Sequence, residues 1–174
     1  MTRFGRRRIL LFSCLLSGCA FSHSPLDDSL LESQRLVARS RQAEERGDLN
    51  SAKRLLEHAA EINSEDASIH HQLARLQSES GESQQAIERL RYAVTKNPQD
   101  TEAFVELSRI LMQQNRYPEA DQTLQSALQL DPNHFEALML SGSWEERHNQ
   151  TTLAMETYHR VLGLDPNHVE AKLR

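Results

Sequence analysis

Arg41, Arg75 and Arg109 stand 34 residues apart, and the fourth place in the series holds Ser143. Guanidinium groups at a regular step can each grip a carboxylate through two parallel hydrogen bonds. Each arginine also has a carboxylate within a helical turn: Glu45 after Arg41, Glu79 after Arg75 and Glu106 before Arg109. Such pairs equally occur as surface decoration worth about 0.2–0.5 kcal/mol each. Eight histidines raise the question of a metal. His70 and His71 are adjacent, so on a helix they point about 100° apart, which is poor for shared ligation. His134 and His168 recur at the 34-residue step, near Asp131 and Asp165. There is no cysteine pair, HExxH motif, nucleophile elbow or glycine-rich phosphate loop. The carboxylates are scattered, so no pair stands out for acid–base work. These residues offer no enzyme, cofactor or metal constellation, and the arginines read either as a carboxylate-gripping series or as surface pairs.

The elements that must position them repeat with the same step. Pro98, Pro132 and Pro166 close matching phrases, Lys96-Asn97-Pro98, Leu130-Asp131-Pro132 and Leu164-Asp165-Pro166. A fixed period of this length marks stacked helix-turn-helix units. Ala52, Ala86, Ala120 and Ala154 form one column, and Ala59, Ala93, Ala127 and Val161 another. Small residues belong where two helices cross closely. Between them run Leu56, Leu90, Leu124 and Tyr158, completing one face at steps of four and three. Gly47, Gly81, Asn115 and Asn149 share a position, and both residue types tolerate the left-handed conformation that ends a helix. Pro118 suits a helix start, and Asn133–Glu136 and Asn167–Glu170 are matching capping boxes. Only nine residues are Phe, Trp or Tyr, and helix formers dominate.

Cut at the period into 33–66, 67–100, 101–134 and 135–168, the chain resembles the tetratricopeptide repeat (TPR) family. Leu73-Ala74 and Leu107-Ser108 fit that family's Leu-Gly pair, and Gly142 fits its glycine, although Ser141 replaces the leucine. The resemblance implies an all-α, right-handed superhelical solenoid of about four repeats. It also implies that the first helix of each repeat lines a concave groove taking a protein or peptide partner. One groove column is then Arg41, Arg75, Arg109 and Ser143, and its neighbour Val37, His71, Val105 and Met139. Glu44, Glu102, Glu136 and Glu146 make the groove mixed in charge. The Lys/Asn carboxylate clamp of some TPR domains is absent. Trp144, the single tryptophan, reads as packing within the last repeat.

The N-terminus is different in kind. Arg3, Arg6, Arg7 and Arg8 precede an apolar run from Ile9 to Leu16, a secretory signal layout too short to span a bilayer. Leu16-Ser17-Gly18-Cys19 resembles the lipobox of bacterial lipoproteins. That implies a signal peptide over 1–18, cleavage before Cys19 and lipid on its sulfur and new amino group. Stable anchoring requires several acyl chains, as such a lipoprotein carries. Removing residues 1–18 deletes four arginines and no acids, so 16 bases face 25 acids and the net charge moves from −5 to −9. That balance argues against nucleic acid as a partner. Residues 19–29 read as the lipidated cysteine and a linker, with helix starts at Ser24-Pro25 and at Ser29. The repeat domain then spans 30–168.

Residues 169–174 begin a truncated or capping helix, which predicts an open face around Tyr158, Val161 and Leu162. A truncated chain, self-association through this end and a tolerated ragged end are the three readings. By the lipoprotein resemblance, Ala20 after the cysteine points to the periplasmic face of the outer membrane in a Gram-negative cell. The layout resembles pilotins and regulators of cell-wall enzymes, implying a membrane-tethered scaffold in pilus, secretion or envelope assembly. The alternative is the N-terminal part of a larger enzyme or transport component.

Overall fold

The computed structural model describes residues 25–173; the signal and lipobox residues lie outside this range. The described residues form nine α-helices and no strand. In order they are α1 Pro25–Glu45, α2 Leu49–Ile62, α3 Ala67–Glu79, α4 Ser83–Lys96, α5 Thr101–Gln113, α6 Tyr117–Leu130, α7 Phe135–Arg147, α8 Thr151–Leu164 and α9 Val169–Leu173. The first helix uses the earlier of its two starts, so helix replaces the linker expected over residues 25–29. Each odd-numbered helix from α1 to α7 packs chiefly on the even one that follows, and each pair then packs on the next. This is an all-α solenoid of helical hairpins, in which contacts are local and stability adds up from neighbour to neighbour.

The turn between paired helices follows from one backbone position. Gly47, Gly81, Asn115 and Asn149 have φ of +75°, +80°, +58° and +59°. There the chain reverses while the preceding helix's last carbonyls are satisfied: the Gly47 and Asp48 amides donate to Glu44 and Ala43 at 2.8 and 2.9 Å. Helix starts are capped by a second periodic column. Asp66 and Asp100 accept from the Ser68 and Ala103 amides. In the last two units His134 and His168 take this place, each ring Nδ1 accepting an amide at 3.3 Å. The cap is therefore His134 rather than Asn133, whose own amide donates to Asp131 in the turn at 3.0 Å.

The alanine columns lie at the crossings, with Ala52, Ala86 and Ala120 fully buried. Leu56, Leu90 and Leu124 fill the volume between them. The last repeat solves the same problem with other sizes. Tyr158 replaces the leucine, and its ring lies over Gly142, where an added Cβ would meet Tyr158 Cε1 at 2.6 Å. A larger residue in one column is compensated by a smaller one in the facing column.

The C-terminal face is more covered than its sequence predicts. Helix α9 sets Ala171 against Leu138, Ala154, Tyr158 and Val161, and Tyr158 and Val161 are buried. The apolar groups that remain exposed at this end are Leu153, Met155, Leu164 and Val169. Among the described residues no helix is long and apolar enough to cross a membrane.

Candidate functional site

The first helices of successive repeats, α1, α3, α5 and α7, lie side by side and leave a cleft at each seam. The cleft between α1 and α3 has a volume of about 340 Å³ and is lined in part by Val37, Arg41 and Gln72. That between α3 and α5 measures about 550 Å³ and includes His71, Arg75, Glu79, Glu102, Glu106 and Arg109. The third, between α5 and α7, is about 180 Å³, with Arg109, Met112, Tyr117, Leu140, Trp144 and Arg147 in its wall. Gln72 and Arg109 each line two clefts, so the three form one trough.

In the middle cleft the charged groups satisfy one another across the repeats. Arg75 pairs with Glu44 of the repeat before it and, at 2.8 Å, with Glu79 one turn on. Arg109 pairs with Glu136 of the repeat after it. Glu106, the helical neighbour of Arg109, is taken instead by His71. The two His71 ring nitrogens lie 3.1 Å from Glu106 Oε2 and 3.2 Å from Asp100 Oδ2. The Glu106 hydrogen bond holds the imidazole above its ordinary range; burial opposes this and the Asp100 charge supports it. Two carboxylates held on one imidazole favour its charged form, which ties α3 to α5.

The third cleft has another chemistry. Trp144 lies between Tyr117 and His148, with ring centroids 5.4 and 3.5 Å away. Its charged wall residues are both cations, Arg109 and Arg147. Arg147 is exposed, and its guanidinium has no hydrogen bond or ion pair with any described residue.

The trough brings together Val37, Arg41, His71, Arg75, Arg109 and Ser143 of the eight residues that the repeat register selects. Val105 is a correction: it is fully buried among Leu124, Ala127 and Ala137 and offers no surface to a ligand. Met139 packs against the Leu138–Tyr158 cluster instead of lining a cleft. Residue type alone does not decide the placement, since Val37 in the same column stays half-buried at the α1/α3 cleft, while His71 carries polar atoms that need partners. Glu44 and Glu136 belong to the expected groove, but their pairing with Arg75 and Arg109 is invisible to local spacing, because each arginine has a nearer carboxylate in sequence. The repeat register does not select Tyr117 or Arg147. Arg147 nevertheless carries a signal in the sequence, since it breaks the column Glu45, Glu79, Gln113, just as Trp144 breaks Gln42, Leu76, Ile110. Among the described residues no group of three or more His, Cys, Asp or Glu is placed to hold a metal ion.

Comparison with known proteins agrees with this geometry. Family models described as tetratricopeptide repeat match residues 43–91, 79–142 and 136–168. Among solved structures, MamA from Desulfovibrio magneticus RS-1 is similar at 19% identity and TM-score 0.73, over 80% of this chain and 79% of that one. YrrB, described as a TPR protein with an unusual peptide-binding site, is similar at 21% identity and TM-score 0.71, over 83% and 74%. Pseudomonas aeruginosa pilF is similar at 24% identity and TM-score 0.72, over 85% and 66%. No curated protein matches the sequence.

Proposed function

We propose that this chain, which belongs to the tetratricopeptide repeat family, is a lipid-anchored scaffold that holds an extended segment of a partner protein in the trough of α1, α3, α5 and α7. The observation that carries this reading is the trough itself. Three clefts follow one another at the repeat spacing, and each has an arginine in its wall. An extended peptide presents side chains at a regular step, and such a series of clefts fits it better than a compact ligand. YrrB supports peptide capture as a use of this fold. The lipobox supports the anchor: lipid on Cys19 would leave the repeats facing the aqueous side of the membrane, six residues ahead of α1. Assembly of a pilus, a secretion channel or another envelope structure is the process in which a tethered, non-catalytic adaptor fits best, and the likeness to pilF agrees at the level of the fold.

Two variants test the two halves separately. Cys19→Ser should release the protein from outer-membrane fractions; unchanged fractionation would remove the lipid anchor from the account. Arg75→Glu combined with Arg109→Glu should abolish crosslinked partner capture from the native envelope while leaving helicity intact. Undiminished capture would reduce the arginines to surface pairs.

A further inference from the structure

The last cleft departs from the repeat in several places that together change its chemistry. At 143 the arginine of the series becomes serine, which removes a long side chain from the wall of this cleft. At 140 Leu replaces the Ala38, Gln72 and Glu106 of the preceding repeats. At 147 arginine replaces Glu45, Glu79 and Gln113. The result is a pocket of about 180 Å³ with an apolar base of Met112, Leu140 and Trp144. Its two charged wall residues are cations, on a chain whose net charge is −5. Only one of them, Arg109, is engaged by a carboxylate.

We propose that the α5/α7 pocket is a specificity pocket for one apolar side chain of the bound peptide, flanked by an acidic residue that pairs with Arg147. This rests on the trough being the peptide site. The size of the pocket suits a single aliphatic or aromatic side chain against the Trp144 and Tyr117 rings, the residue types that dominate binding energy at interfaces. The charge argument selects the flank. Arg147 stands at the rim without a partner, so a carboxylate arriving there forms a charge-assisted pair and displaces nothing. In the α3/α5 cleft a carboxylate must first displace Glu44 or Glu79 from Arg75, so that cleft contributes less discrimination.

The test uses the full-length chain and a phage library displaying random dodecapeptides. Enriched peptides are then measured against Ser143→Arg, Arg147→Glu and Arg75→Glu. The first two variants introduce residues that the chain already carries at the same repeat position, Arg109 and Glu79, so folding should be retained; circular dichroism checks this. The proposal expects enriched peptides to share an apolar residue beside Asp or Glu. It expects binding about tenfold weaker or worse in both Ser143→Arg and Arg147→Glu. Addition of a tryptophan-free enriched peptide should also shift the emission of Trp144. Peptides that lose binding in Arg75→Glu but not in Ser143→Arg or Arg147→Glu would overturn the pocket and leave the trough standing. Failure to enrich any peptide sensitive to a trough variant would overturn both.

Discussion

The α3/α5 cleft and the α5/α7 pocket are built on the same backbone step, one repeat apart, and are put to opposite uses. In the first, His71, Glu106, Asp100, Arg75 and Glu44 satisfy one another across the seam. In the second, an aromatic cluster stands beside Arg147, which no described residue engages. Periodicity dictates where a side chain points, and the side chain dictates whether the seam is closed by the protein or left for a partner. The last repeat also carries its own packing solution, Gly142 beneath Tyr158, where the preceding repeat has Ser108 and Leu124 at the same positions.

The largest effect should come from that packing. Helix propensity alone predicts that Gly142→Ala stabilises α7 by about 1 kcal/mol. The contact at 2.6 Å with Tyr158 predicts the reverse, a loss of about 1–3 kcal/mol, read from the denaturant midpoint. Pairing it with Tyr158→Leu, the leucine of the other repeats, should recover most of the loss. A single variant as stable as the parent would mean that the last repeat packs like the others.

Next in size is the pH dependence of the α3/α5 seam. The His71 pKa is raised in the folded chain, so its stabilising pairing is fully present below the ordinary value of 6.5 and is lost as pH rises through the raised folded value. Wild-type melting temperature should therefore fall across that window. His71→Leu should remove this component of the slope. It should also lower stability at acidic pH, because Asp100 and Glu106 are left facing each other. The same slope in both proteins would detach His71 from the seam.

Smaller still is the effect of the exposed arginine pairs. Arg75→Gln should change stability by under about 1 kcal/mol, since a side chain 40% exposed is screened by solvent. Ser143→Arg should change it by about 0.5 kcal/mol or less. Larger losses would show that the trough wall is structural, which would blur the contrast between the two seams.

Most of the fold was legible because its determinants are local and periodic. The Ala52 and Ala59 columns, the Leu56 column and the left-handed position at Gly47 each state a steric requirement that recurs in every unit. The trough was legible only in part. Register places His71, Arg75 and Arg109 toward it, but cannot tell that Val105 in the same column is drawn into the core. Nor can local spacing pair Arg75 with Glu44 or Arg109 with Glu136, because pairing across a seam depends on how one repeat is set against the next. The reach of α9 over Tyr158 was likewise hidden, since a five-residue helix has no stability of its own and is held by Ala171 on its neighbours.

The account stands on the trough being the surface that meets the partner. The most direct measurement places a photoreactive phenylalanine analogue at one of two exposed positions of the full-length chain in its own membrane. One is Gln113 in the wall of the trough, and the other is Gln122 on the second helix of the same repeat. The account predicts a discrete crosslinked partner from position 113, none from 122, and loss of the product when Arg75→Glu and Arg109→Glu are added. Crosslinking from 122 alone, or equally from both positions regardless of the arginines, would contradict it.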